Sequence, residues 1–297
     1  MEARIKKFFD RYARLGQRVP ERIDLLPALR VNTLRTSAGK LIQRLEKQGV
    51  VLEKIGWLKH GYRVLKSSFS LGAGIEFLLG HFYLQESAAQ LPVEVLDPQP
   101  GELVLDCCSA PGGKTTQIAQ HMQNNGVVVA LEKKQHRVLS LRNNLERCGV
   151  TNAVVYHIDA VKAGMLGLKF DKILLDAPCS GNFAGDKDWF GKRSLDGIRK
   201  SAQFQKNLLS SAIKVLKPDG VLVYSTCSLE PEENELNMQW LLENHKVKLE
   251  QIHAAIGDAG LARVFGKKMH SSIPNCLRFW PHKTSTEGFF IAKVKLK

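Results

Sequence analysis

This sequence lacks any apolar run approaching the roughly 20 residues a helix needs to cross a bilayer. Its start does not supply one either. Residues 1–19 scatter charges among Ile5, Phe8, Phe9 and Tyr12, the pattern of an amphipathic helix rather than of a secretory leader. Six cysteines are present, but no two form a C-x-x-C pair, so a structural zinc site has no support and no metal is expected. A chain of this size does not need disulfide staples, and reduced thiols in a cytoplasmic protein are the default. Internal repeats, low-complexity tracts and a G-x-G-x-x-G dinucleotide fingerprint are also missing. The last shortage is of acid. Twenty-nine Asp and Glu stand against 43 Lys and Arg, a formal net charge of +14. Such an excess favours a polyanionic partner, because Lys and Arg displace the counterions condensed on phosphates.

What is present is core-forming. Hydrophobic residues make up 44% of the 297 positions, enough for one large domain and a small one. The first third reads as a small α/β unit. Strands are expected at Ala28–Leu34, Val50–Leu52 and Tyr62–Leu65. Ser37 is placed to cap a helix carrying Leu41, Ile42 and Leu45. A helix around Gln85–Leu96 follows, closed by Pro98 and Pro100. From Gly101 onward, apolar runs at Leu103–Asp106, Val127–Leu131, Val154–Ile158, Ile173–Leu175 and Val221–Tyr224 alternate with helical patterns. Continuous apolar strands separated by helices mean a mostly parallel, doubly wound sheet covered on both faces. Phe289–Val294 reads as a closing strand. The expected division is residues 1–96 and residues 97–297.

In such sheets ligands bind at the carboxyl ends of the strands. The first strand of the large unit runs into Asp106-Cys107-Cys108-Ser109-Ala110-Pro111-Gly112-Gly113-Lys114-Thr115. Paired glycines let a backbone approach a ligand, and the following helix presents unpaired N–H groups. A phosphate-binding G-x-x-x-x-G-K-T loop is excluded, since its first glycine would fall on Cys108. An ordinary tight strand–helix turn remains the plain alternative. Glu132, Asp159 and Asp176 close the next runs. Singly each reads as a solvated strand-end carboxylate. Together they line one edge of successive strands, which suits the ribose and base of a nucleoside cofactor.

Two further strand ends carry cysteine: Asp176-Ala-Pro-Cys179-Ser-Gly181 and Ser225-Thr-Cys227-Ser228. A lone cysteine is usually a small buried hydrophobe. Two on neighbouring loops of the ligand edge, one beside an aspartate, point to thiol chemistry. These segments, with Cys108-Ser-Ala-Pro-Gly-Gly-Lys-Thr115, closely resemble the Nol/Nop/Sun (RsmB-like) family of RNA cytosine-5 methyltransferases. Arg30-Val-Asn-Thr-Leu-Arg35, Pro231-Glu-Glu-Asn-Glu235 and Glu287-Gly-Phe-Phe-Ile-Ala-Lys293 extend the resemblance from about Arg30 to the end. One departure is Ser109, where the family usually has alanine.

The resemblance implies a Rossmann-like class I methyltransferase fold and an S-adenosylmethionine site. That site would be lined by Cys108, Ser109, Ala110, Pro111, Gly112, Gly113, Lys114, Glu132, Asp159 and Asp176. It implies Cys227 as the nucleophile that adds to carbon 6 of cytosine, and Cys179 as the group that helps resolve the adduct. Asp176 is a candidate for the ring edge at nitrogen 3, and Lys114 for contacts beside it. Within Phe183–Arg193, Trp189 or Phe190 could stack on bases while Lys187, Lys192 and Arg193 hold phosphates; equally, both aromatics could pin the loop down. Arg4, Lys6, Lys7, Arg11 and Arg14 read as a solvated helix face or an RNA contact. The expected substrate is tRNA, bound by a monomer. Ribosomal RNA, a noncatalytic RNA-binding assembly factor and a DNA cytosine-5 enzyme using Pro178-Cys179 are the alternatives. Cys227 after the fifth strand is the feature that favours RNA over DNA.

Overall fold

The computed structural model describes residues 2–297, the side chains of residues 2–4 excepted. A small antiparallel sheet comprises β1 (Ala28–Val31), β2 (Val51–Lys54), β3 (Gly61–Lys66) and β4 (Phe82–Leu84), in the order β2-β3-β1-β4. Helix α2 (Ala38–Lys47) starts at Ser37, whose side chain accepts from the Lys40 amide. Its Leu41 and Leu45 close over Leu29 and Val31 of β1. A single turn, α3 (Ile75–Leu78), precedes β4.

The large sheet is built on β5 (Leu103–Asp106), β6 (Val127–Leu131), β7 (Ala153–Tyr156), β8 (Phe170–Asp176) and β9 (Leu216–Thr226). These run parallel in the order β9-β8-β5-β6-β7. Neighbouring residues along each strand serve opposite faces. Val104, Val128, Leu174 and Val223 face one core, and Leu105, Val129, Ile173 and Leu222 face the other. Helices α4 (Ser87–Leu96) and α5 (Gly113–His121) cover the first face. On the second lies α8 (Leu195–Val215), with α9 (Glu235–Asn244) beyond it. Helix α6 (Gln135–Cys148) joins β6 to β7. The sheet is extended antiparallel by β10 (Val247–Glu250), β11 (Asp258–Ala259), β14 (Leu277–Phe279) and β15 (Phe289–Leu296). A two-residue hairpin, β12 (Arg263–Val264) and β13 (Lys267–Lys268), and the short helices α7 (Trp189–Lys192) and α10 (Pro281–Thr284) complete the chain. No helix among the described residues is long and apolar enough to cross a membrane.

Most strand ends shift by one to three residues from the sequence expectation, as at β1 and β7, and two differences bear on the site. Strand β9 runs on through Ser225 and Thr226, because β15 pairs with them and Ser225 bonds to Asp176. It also begins at Leu216, opposite Phe170. The Lys217-Pro-Asp-Gly220 segment is a bulge after which Val221 meets Lys172. The other difference concerns the N-terminus. Helix α1 (Glu2–Arg14) buries Phe8 and Tyr12 in the core of the large unit, and α4 packs on β8, β9 and β15. By packing, the small domain we propose is the four-stranded sheet with α2, narrower than residues 1–96.

Candidate active site

The order β6-β5-β8-β9 reverses the direction of strand succession between β5 and β8, and a crevice opens above that point. The loop after β5 is shaped by its own polar residues. Ser109 turns inward, its hydroxyl donating to the carbonyls of Asp106 and Leu131. From α6, Asn144 donates to the Pro111 carbonyl and Arg137 to that of Ala110. Gly112 has φ +112°, a conformation that costs a side-chain-bearing residue dearly, and a β-carbon there would also press on Leu141. Gly113 then starts α5. Ser109, Ala110 and Pro111 therefore hold the loop's shape, while Cys108 faces a cleft of about 230 Å³ shared with Glu132, Asp159, Pro178 and Phe204.

Two acids, Glu132 and Asp159, line the cleft beside Lys133, Lys134 and Arg137. Glu132 is buried and accepts from the Lys134 amide at 2.7 Å; Asp159 caps the next turn and pairs with Lys133. Asp106, not among the expected site residues, is the most deeply buried of these acids, at 1% exposure. Thr115 donates to its Oδ2 at 2.7 Å, whereas Oδ1 has no hydrogen-bond partner among the described residues. Burial, with a contribution from the charge of Asp176, pushes its pKa up to about 6. A cationic molecule with a ribose and an ammonium group fits this set of acceptors. S-adenosylmethionine is such a molecule, and an orphaned buried carboxylate oxygen is what its positive end would satisfy.

Beside the cleft lie the thiols. Asp176 ends β8; its Oδ2 accepts from Lys114 Nζ at 2.7 Å and its Oδ1 from Ser225 Oγ at 2.7 Å. Burial disfavours the Lys114 ammonium, but Asp176 foremost, then Cys227 and Asp106, outweigh it and hold its pKa above the ordinary lysine value. Cys179 Sγ and Cys227 Sγ are 3.2 Å apart, both half-buried and free. The Cys179 thiol is raised well above its usual value, first by the contact with Cys227 and then by burial. Either sulfur can donate in that contact.

The two cysteine loops are tied by Glu233, which the sequence offered only within the Pro231–Glu235 match, and by Asn182, which it did not single out. Glu233, fully buried, accepts from the Ser180 amide (2.9 Å), from the hydroxyls of Ser180 and Ser228 (2.5 Å each) and from Gln205 Nε2 (2.9 Å). Asn182 donates to the Cys227 carbonyl at 2.8 Å. The signal was legible only as a cluster of acids two turns past the second cysteine.

Of the two readings left open for the aromatics of Phe183–Arg193, the packed loop is the one the structure supports. Trp189 is 1% exposed, donates through Nε1 to the Ser180 carbonyl, and meets Phe8 edge to face at 4.7 Å. Phe190 stacks on Phe183. The aromatics pin the loop and are closed to nucleobases. Lys192 is paired with Asp186 and Arg193 with the Ser180 carbonyl; Lys187 is exposed. On α1, Arg11 is engaged by Glu230 and Glu232, while Lys6, Lys7 and Arg14 are exposed. The side chain of Arg4 lies outside the described residues. No cluster of three or more His, Cys, Asp or Glu able to hold a metal occurs among the described residues.

Residues 93–295 match the family model described as 16S rRNA methyltransferase RsmB/F. A mouse 28S rRNA (cytosine-C(5))-methyltransferase is 42% identical over 274 residues, covering 90% of this chain and 35% of the relative. The chain thus spans about a third of that relative's length. A tRNA (cytosine(49)-C(5))-methyltransferase of Pyrococcus abyssi is 37% identical over 279 residues, 91% of this chain and 88% of the relative. Among solved structures, NSun6 from Pyrococcus horikoshii, determined with the S-adenosylmethionine analogue SFG, superposes with a TM-score of 0.84 at 28% identity, covering 98% of this chain and 94% of that one. The chain belongs to the RsmB/F family of S-adenosylmethionine-dependent methyltransferases.

Proposed function

We propose that this chain methylates carbon 5 of a cytosine in RNA, with tRNA as substrate, through a covalent adduct at Cys227. The observation that carries the proposal is the 3.2 Å contact between Cys179 and Cys227 beside the Lys114–Asp176 pair, on the edge where the glycine turn opens. Carbon 5 of cytosine is a poor nucleophile. Addition of the Cys227 thiolate to carbon 6 moves the ring electrons onto carbon 5 and nitrogen 3. Lys114 spends one of its three N–H donors on Asp176 and has others for the ring edge, where negative charge develops. Asp176, both oxygens engaged, orients that lysine. This pair replaces an Asp176 acting alone at nitrogen 3.

S-adenosylmethionine, when bound by Cys108, Glu132, Asp159 and the Gly112–Gly113 turn, supplies the electrophilic methyl group. The proton on carbon 5 must then leave, and the bond between carbon 6 and Cys227 Sγ must break. In the free protein the contact with Cys227 is the largest cause holding the Cys179 proton on. Once Cys227 is a thioether, that cause is gone and Cys179 is freed to act as, or to position, the base for elimination.

Transfer RNA is favoured by the Pyrococcus abyssi relative, which matches this chain over nearly its whole length. Ribosomal RNA is the second reading, favoured by the family description and by the higher identity of the mouse relative. The intact thiol pair, with Lys114 and Asp176 beside it, argues against a noncatalytic assembly factor. Base-resolved mapping of 5-methylcytosine in total RNA, with and without the protein, tests the reading. Loss at one tRNA position supports it, loss in ribosomal RNA moves the substrate, and no loss removes the activity.

A further inference from the structure

The geometry points to Glu287 as the residue that distinguishes cytosine from uracil, by accepting a hydrogen bond from the exocyclic 4-amino group of the target base. This inference rests on the cytosine-5 chemistry proposed above. Glu287 lies two residues before β15, and β15 pairs with β9 so that Phe290 faces Thr226, the residue before Cys227. Asn182 Nδ2 donates to the carbonyls of both Cys227 and Gly288, which locks the Glu287 segment to the nucleophile's loop. The Glu287 amide donates to Glu86 Oε1 at 3.1 Å, and Glu86 also caps α4 through the amides of Ala88 and Ala89. The backbone of Glu287 is therefore held from two sides.

Its carboxyl group is not held. It has no hydrogen-bond partner among the described residues; burial raises its pKa, with the Lys114 charge opposing. The face of Gly185 lies against it: a β-carbon there would come within 2.9 Å of the Glu287 carboxyl carbon. Two carboxylates thus flank Lys114. Asp176 is saturated by Lys114 and Ser225; Glu287 is free. Cytosine needs donors at nitrogen 3 and oxygen 2, and one acceptor at its 4-amino group. Lys114 supplies the first kind and Glu287 the second. Uracil would turn a carbonyl oxygen toward the Glu287 carboxylate, and two acceptors repel. A site built around a required hydrogen bond rejects the analogue lacking it by a large factor, because the polar group is left unpaired.

The test uses the full chain and two transcripts of the RNA mapped as substrate. One carries 5-fluorocytidine at the target and the other 5-fluorouridine at the same position. Fluorine on carbon 5 blocks proton loss, so any base that is attacked and methylated stays attached to Cys227. Wild type should trap the cytidine form and react with the uridine form at least ~10³-fold more slowly. E287Q offers an amide N–H to uracil, and should lose tenfold or more of the cytidine rate while gaining on uridine. G185A, which crowds the carboxyl from outside, should narrow the ratio in the same direction with an unchanged melting temperature. If both variants keep the wild-type ratio, Glu287 does not read the base. If wild type traps neither transcript, the proposed chemistry fails first and takes this inference with it.

Discussion

The sulfur atoms of Cys179 and Cys227 lie 3.2 Å apart, though 48 residues separate them in the chain. Strand order brings them together: β8 and β9 are parallel neighbours, paired as far as Asp176 and Ser225, and each cysteine follows within three residues of that last pair. Glu233 then clamps the serine that follows each cysteine. The contact and burial hold the Cys179 proton more tightly than an ordinary thiol holds its own.

That asymmetry separates the two alanine variants. Cys227→Ala should form no adduct with RNA and lose methyl transfer altogether. Cys179→Ala should still attack, then release product ~10²–10⁴-fold more slowly, the usual worth of a positioned acid or base. Denaturing gels of protein with labelled RNA check this: a band accumulates for Cys179→Ala and is missing for Cys227→Ala. The opposite pattern would exchange their roles.

Asp106 predicts a pH dependence. Its folded pKa, about 6, lies above the ordinary carboxylate value of 3.8, so the folded state keeps a proton that the unfolded chain has lost. Its contribution to stability is complete below the unfolded value and falls as pH rises toward 6, by up to about 1.4 kcal/mol per unit. Asp106→Asn should remove that slope and be the more stable protein at pH 7. It should also bind S-adenosylmethionine more weakly, because the negative charge is gone. Urea titrations between pH 4 and 7.5 and calorimetry with the cofactor measure the two effects.

Arg278 and Glu235 are both fully buried and joined at 2.6 and 2.8 Å, with Arg278 also bonded to the Leu229 carbonyl. Arg278→Met leaves Glu235 charged and unpaired, and should cost about 3–5 kcal/mol in denaturant unfolding. Adding Glu235→Leu should recover much of that loss. If the double variant is no better than the single, the pair matters for the strand it anchors rather than for its charge.

Trp189→Ala should lower stability by about 3–5 kcal/mol, the cost of emptying a packed aromatic site. RNA affinity of the folded fraction should barely change. Lys187→Ala should do the reverse, leaving the melting temperature alone and weakening RNA binding in a salt-dependent way. Thermal melts and filter binding at two salt concentrations distinguish them. A Trp189 variant that melts normally but binds RNA poorly would restore the stacking role that its burial argues against.

Local sequence determined a good deal here. The alternation of apolar runs and helical patterns specified a doubly wound sheet, since a strand buried on both faces has to be apolar throughout; β5, β6, β8 and β9 follow that rule, while β7 at the edge leaves Val154 and Tyr156 exposed. Ser37 was readable as a cap and the glycine turn as a close approach, because both depend on neighbouring residues alone. The acids and cysteines at strand ends were legible as a set for the same reason: strand ends share one edge. Tertiary structure decided the rest. Which side chains remain open to a ligand depends on what packs against them, and α1 reaches across the chain to bury Trp189 and Phe190 and engage Glu230. That the Asp176 carboxylate is saturated depends on Ser225 and Lys114, 49 and 62 residues away in the chain. Proton affinities follow from that burial and pairing, so the raised pKa values of Cys179 and Asp106 exist only in the folded molecule.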